Sequence, residues 1–436
     1  MAEHHASVCA AMDPRTRRIA LGLYAVVGGL ATLLLLLHAI PAIAEAFRQY
    51  PYDGKVDWIA ARAFWDGRNP YSPEELQRAK LDGLGHPPTT SFWWLPFAHY
   101  PLSQVSPIVG LFIVFAMLTT YFMLAEELAW PLPPLSALLL FAAVMSTGWM
   151  SYHLGLVQVS GFIAFLYFLA WVALRRGHDV AAGILLGCAC TFKLFPGLMV
   201  LMLLLARRWR AVGAAVATYL VVAAIMTARF GFVAWSQFAS TEKVITDYWI
   251  GNVHNASLFG VVLRVLVPAC WGAIVSQPAC TVVTLVLAAA LGYIAWSVSR
   301  RSLAAGRFDL PFALFATLSV FVNPFTFEHY FALLVFPLAL TATAAVGAAQ
   351  LGMPRRELLV IWSLLVVAMV LLRVDFHWTD PLSWQAHHRL KHVLELANWV
   401  HMPLTFIAAA ALLVWSDRKG GVALVPPPRA KQGNAT

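Results

Sequence analysis

The residues of this chain best suited to chemistry are ionisable groups set in apolar surroundings. Lys193 lies in Lys193-Leu194-Phe195-Pro196, within a hydrophobic stretch whose two ends carry Arg175-Arg176 and Arg207-Arg208. An ammonium flanked by so much apolar chain needs an anion. Arg264 closes the run Leu258-Phe259-Gly260-Val261-Val262-Leu263, where a guanidinium either snorkels to an interface or clamps a phosphate. Asp57 heads Asp57-Trp58-Ile59-Ala60-Ala61-Arg62-Ala63-Phe64-Trp65. Its carboxylate is either the N-cap of a short helix or a group able to take a proton, and Asp53 is a nearby competitor. His329 follows Glu328 in Asn323-Pro324-Phe325-Thr326-Phe327-Glu328-His329-Tyr330, where the chain enters another apolar segment. A histidine there is an interface residue or a titrating one.

Apolar helices must position these groups. The chain is 60% hydrophobic and only 12% charged, with 17 Trp, which is the composition of an all-α polytopic membrane protein. Spans are predicted to begin near Ile19, Pro107, Leu135, Val159, Val180, Phe195, Ala211, Cys280, Leu310, Tyr330, Leu358 and Trp399, about 12 crossings by hydropathy. A single helix between Arg176 and Arg207 would place its two arginine clusters on opposite sides of the bilayer, against the positive-inside rule. Two hops of about 13 residues, ~20 Å each, keep both clusters inside but fall short of the ~30 Å hydrocarbon core. Lys193 would then sit at a hairpin tip below the outer surface.

Arg15, Arg17, Arg18, the 175–176, 207–210, 300–307 and 355–356 clusters, and Arg418, Lys419, Arg429 and Lys431 all fall in the inner segments, and they make up more than half of the 30 Lys and Arg. Both termini are therefore expected in the cytoplasm of a multi-pass protein of the inner or plasma membrane. The +9 net charge is explained by anchoring to membrane lipids, with no nucleic-acid partner required. Residues 1–417 read as one transmembrane domain and 418–436 as a disordered cytoplasmic tail. Three outer segments, about 42–106, 229–278 and 373–398, are too long for turns and should carry the function. The first bears an interfacial helix with Trp58, Ala61 and Trp65 on one face.

Other chemistries find little support. His387, His388 and His392 have no acidic or cysteine partner at a tight offset, so no metal site is expected. There is no phosphate-binding glycine loop, no CxxC and no nucleophile elbow. Cys270 and Cys280 flank an outer segment and are either a disulfide or two buried thiols.

In chain order the residues resemble glycosyltransferase family 87, polyprenyl-phosphate-sugar-dependent membrane enzymes of the GT-C superfamily typified by mannosyltransferases. The resemblance rests on Asp57, Ala63, Gly67, Pro70-Tyr71, the run Phe92-Trp93-Trp94-Leu95-Pro96-Phe97, Gly155 and Gln158, the 193–196 turn, the set Asn255, Ser257, Gly260 and Arg264, and the 324–329 segment. Three positions depart from the family's habit. Val157 stands before Gln158 where Gly is common, Ala256 replaces a Gln before Ser257, and Phe327 replaces a Trp before Glu328 and His329.

The resemblance implies a GT-C-like helical bundle, no cofactor, and transfer of a hexose from a polyprenyl-phosphate donor to a lipid or glycan hydroxyl on the outer face. It implies inversion, with Asp57 as general base and His329 assisting. Lys193 and Arg264 would stabilise the departing phosphate. Gln158, Asn255, Glu328 and Trp94 would meet sugar hydroxyls and sugar faces. A lipid-linked glycan polymerase or ligase, which would place its large outer loop late, and a secondary transporter or flippase, which would show repeats, fit less well.

Overall fold

The computed structural model describes residues 51–79, 85–130, 132–250, 255–266, 278–373 and 388–427, and parts of 22–48. Every regular element among the described residues is helical. Five helices are long and apolar enough to cross a membrane: Leu102–Glu127, Trp209–Phe230, Pro278–Ala304, Glu328–Gln350 and Trp399–Arg418. A sixth crossing arises if Pro133–Met145 and Gly148–Leu156, bent by 78°, form one broken span. The twelve predicted crossings are thus matched at about half their positions. The remainder are shorter or more charged elements, or begin, as at Ile19, outside the described residues.

The short helices explain much of the difference. Asp179–Phe192 and Asp309–Val322 have 14 residues each and Gly197–Leu205 has 9. At 1.5 Å per residue these rise only ~21 Å and ~14 Å. Hydropathy registers such segments as crossings because their composition is right, although they stop short of the bilayer's width.

Charged pairs fix which helix ends lie together. Arg175 and Arg176 both pair with Glu127, and Arg175 Nε lies 3.2 Å from Asp309. Arg208 lies 3.4 Å from Asp179. The last contact joins the start of Asp179–Phe192 to the end of Gly197–Leu205, so the chain turns back at 193–196 as a hairpin. One end of the bundle therefore gathers the close of Leu102–Glu127 and Ser160–Arg175, the open of Asp179–Phe192 and Asp309–Val322, and the arginines after Leu205. The opposite end holds Gln158, Lys193, Asn323 and Tyr330.

Close helix packing builds this frame. Asp179–Phe192 presents Gly183 and Gly187 to Trp209–Phe230, where an added Cβ at Gly183 would collide with the Ala211 carbonyl and one at Gly187 would sit 2.6 Å from that of Ala215. This is the small-residue spacing that lets two backbones touch when the solvent is lipid. Asp309–Val322 is buried almost throughout, whereas Pro278–Ala304 turns Val282, Leu285, Val286 and Tyr293 outward. An apolar helix exposed in this way is suited to contact with lipid.

Two readings change. Segment 418–436, expected to be disordered, is packed as far as it is described. Leu424 and Val425 are buried, the Leu424 carbonyl lies where a side chain at Gly347 would be, and Arg175 donates to the Pro426 carbonyl. Asp57 is not a helix cap either. The helix starts at Tyr52 after Pro51, which places Asp57 on an interior turn and Asp53 in the first. Cys280 is buried near the start of its helix, and Cys270 lies outside the described residues.

Candidate active site

The site is assembled where the segment 51–100 meets the hairpin turn at 193–196. Gly54 packs against Val157 and Trp94, and a Cβ there would meet the Val157 side chain at 3.0 Å and the Trp94 ring at 3.2 Å. That close approach sets Asp53, one turn before Asp57, against Gln158. Val157 adopts φ 55, a left-handed conformation costly for a β-branched residue. Glycine there would hold that conformation without strain.

The loop also clamps the end of the helix that delivers Lys193. Thr90 Oγ1 donates to the Phe192 carbonyl at 2.7 Å, satisfying an acceptor that the helix end leaves open. Trp93 stacks on Phe192 at 5.1 Å and its Nε1 donates to Thr191 Oγ1 at 2.8 Å. Lys193 then leaves the helix in extended conformation, only 8% exposed. Its Nζ donates to Tyr330 Oη at 2.7 Å and to Gln158 Oε1 at 3.4 Å, and lies 4.5 Å above the Tyr330 ring.

Gln158 bridges opposite charges, since its Nε2 donates to Asp53 Oδ2 while its Oε1 accepts from Lys193. Beside this chain of bonds, Asp57 Oδ1 pairs with His86 Nδ1 at 2.8 Å. Asp57 is 2% exposed, and no second hydrogen bond to it is formed among the described residues. Tyr71 holds the His86 backbone by donating to its carbonyl at 2.6 Å. Burial pushes the Asp53 carboxyl above the usual carboxylate range, and neighbouring Asp57 adds to that rise. His86 and Lys193 pull the other way, and the bond from Gln158 adds to their pull. Hydrogen bonds thus run from Lys193 through Gln158 to Asp53, and Asp57, one turn further along the same helix, holds His86.

The segment at Glu328, His329 and Tyr330 forms the opposite wall. His329 is buried with neither ring nitrogen partnered among the described residues, its ring between Phe327 at 5.9 Å and Tyr330 at 4.5 Å. His153 Nδ1 lies 3.1 Å from the His329 carbonyl and fixes that backbone. Glu328 is buried beside it.

Asn255, expected to meet the sugar, has its side-chain amide engaged within the chain. Its Nδ2 donates to the Ile250 and Pro324 carbonyls at 3.1 and 2.9 Å, and its Oδ1 accepts from the Ser257 and Thr326 amides at 3.1 and 3.0 Å. Those four bonds use the amide's whole capacity. Asn255 therefore ties the 255–266 segment to the chain leading into His329. Arg264 Nη2 donates to the Asn255 carbonyl at 2.9 Å, and Gly260 is required because a Cβ would lie 2.5 Å from that same oxygen. Trp94 is buried over Gly54 and supports the helix that carries the carboxylates.

His86, Tyr330 and Glu242, whose carboxylate lies near Gly85, were not singled out by the sequence. His86 sits just before Pro87-Pro88 with no helical spacing to relate it to Asp57, and Tyr330 reads as the start of a span. Among the described residues no cluster of His, Cys, Asp and Glu suits a metal ion.

A helical membrane protein with paired carboxylates and a buried cation at one end is the class this geometry defines. The family model for glycosyltransferase family 87 matches residues 85–324, more than half of the chain. The chain belongs to that family, and it is a membrane glycosyltransferase. No curated protein and no solved structure matches it. The matched region includes His86, Gln158, Lys193, Asn255 and Arg264, and begins after the two carboxylates.

Proposed function

We propose that the protein transfers a hexose, mannose in the family's typical members, from a polyprenyl-phosphate donor to a hydroxyl of a lipid or glycan acceptor, with inversion. The observation that carries this reading is a nearly sealed ammonium, Lys193, linked through the Gln158 amide to Asp53, one turn before Asp57 on the helix Tyr52–Trp65. Donor phosphate would lie against Lys193, where low water content strengthens its hold on the charge that builds as the glycosyl bond breaks. Arg264 is assigned to the same phosphate. The acceptor oxygen would attack the anomeric carbon from the opposite face and lose its proton to Asp57, whose orientation His86 fixes. The ring nitrogens of His329 would meet acceptor or phosphate oxygens. Gln158, Glu328 and Trp94 are assigned to the sugar.

The arginine-rich end of the bundle supports a cytoplasmic placement for that end, and an extracytoplasmic one for the site. Nucleotide sugars are absent there, and a lipid carrier supplies the activated sugar. The test is to incubate detergent-purified protein with a panel of polyprenyl-phosphate hexoses and n-octyl glycosides and identify products by mass spectrometry. Consumption of one lipid-phosphate hexose with a new α-glycoside is expected. Use of a nucleotide sugar instead would overturn the reading.

A further inference from the structure

A third carboxylate approaches this site from a helix far from it along the chain. Helix Val233–Trp249 lies against the first loop: Asn69 Nδ2 donates to Gln237 Oε1 at 2.5 Å and Tyr71 meets Phe238 edge-on at 5.7 Å. Ile245 and Glu242 face Gly85, since a Cβ built there would lie 3.4 Å from the Ile245 side chain and 3.9 Å from Glu242 Oε2. Phe238, Glu242 and Ile245 fall at i, i+4 and i+7, which is one helical face. Glu242 is thus set beside His86, whose ring holds Asp57.

Its surroundings are those of a ligand-binding group more than of a structural one. Among the described residues Glu242 Oε2 is buried with no hydrogen-bond partner and Glu242 is in none of the ion pairs formed. A buried acceptor left open destabilises the fold, more so when charged, unless something binds it. Burial raises its pKa, opposed by His86 and Lys193, so it shares the electrostatic environment of the site.

We infer that Glu242 binds a hydroxyl of the acceptor and holds it for attack, on the Asp57 and His86 side of the site. The inference rests on the proposed transfer reaction. A carboxylate repels donor phosphate, which belongs with Lys193, whereas a hydroxyl donates readily to it. Its place beside Gly85, the chain neighbour of His86, puts Glu242 on the side of the proposed base.

Purified wild type, Glu242→Gln and Glu242→Asp are assayed with a short-chain polyprenyl-phosphate mannose and n-octyl α-mannopyranoside, with initial rates measured against each substrate. Glu242→Gln is expected to raise the acceptor KM about tenfold or more, the value of a hydrogen bond to a charged group. The donor KM and acceptor-independent donor hydrolysis should stay within twofold. Glu242→Asp, which retracts the charge by one methylene, should fall between. An unchanged acceptor KM, or donor and acceptor KM rising together, overturns the assignment. If Glu242→Gln fails to fold, an acceptor KM for Glu242→Asp equal to that of wild type overturns it. Wild-type protein that transfers to no octyl glycoside under conditions where it consumes no lipid-phosphate sugar would sink the transferase reading itself, and the role of Glu242 with it.

Discussion

Lys193→Met keeps the length of the side chain and deletes its charge, and so separates a structural cation from a catalytic one. In the structure the ammonium is held by neutral groups, Tyr330 Oη at 2.7 Å and Gln158 Oε1 at 3.4 Å, and no carboxylate pairs directly with it among the described residues. Keeping an ion in so dry a place costs several kcal/mol. Its loss removes that cost while leaving the Tyr330 hydroxyl and the Gln158 oxygen unbonded, at about 1–3 kcal/mol. These opposing effects leave stability unchanged or higher. Donor recognition behaves differently, because a charge-assisted bond to phosphate is worth roughly 1.5–3 kcal/mol. That corresponds to a fall of about tenfold to 150-fold in kcat/KM for the donor. The assay is initial-rate kinetics with a short-chain polyprenyl-phosphate hexose, beside thermal unfolding of the same preparation. A kcat/KM within threefold of wild type, or activity lost only in step with stability, would refute the phosphate contact.

Three further outcomes follow from the geometry. Asp57→Asn should leave expression and unfolding temperature near those of wild type and lower turnover by roughly a hundredfold or more, as removal of a general base does; near-normal turnover takes Asp57 out of that role. Burial raises the Asp53 carboxyl, so the folded protein keeps a proton that the unfolded chain releases. Its contribution to stability therefore falls as pH rises from roughly 4 through the raised pKa. Asp53→Asn should remove that decline. Apparent unfolding midpoints of the two proteins between pH 4 and 7 decide it, and a wild type that gains on the variant as pH rises contradicts the sign. Gly183→Leu should separate Asp179–Phe192 from Trp209–Phe230, with overpacking costs of at least about 1–3 kcal/mol. Limited proteolysis and unfolding temperature report it, and wild-type resistance would mean that the helices do not pack as described.

Much of this arrangement could be read from the chain. The turn at 193–196 was legible because two arginine clusters flank a stretch that no single span can place, and the contact of Arg208 with Asp179 is the structural form of that reasoning. Lys193 stood out because charge is rare in such surroundings. Span count was less legible, because hydropathy sums residues without seeing the break between Met145 and Gly148 or the early end at Phe192. The start of the first-loop helix was misplaced for a local reason. Asp57 is a good capping residue, but Pro51 six positions earlier already sets the entry to the helix. His86 and Glu242 carried no spacing signal toward Asp57, since they approach it from different segments. For Glu242 the face shared by Phe238 and Ile245 was visible, but not what that face would meet. Asn255 shows the limit from the other side, because its type suited a sugar while its four bonds to the chain could be seen only in three dimensions.

The most direct measurement is a structure of the Asp57→Asn protein bound to a polyprenyl-phosphate hexose, the variant being chosen so that the donor survives. The phosphate should lie within hydrogen-bond reach of Lys193 Nζ, ~3 Å, with the anomeric carbon turned toward position 57. A headgroup bound instead near Arg175 and Arg208, at the other end of the bundle, would contradict the account.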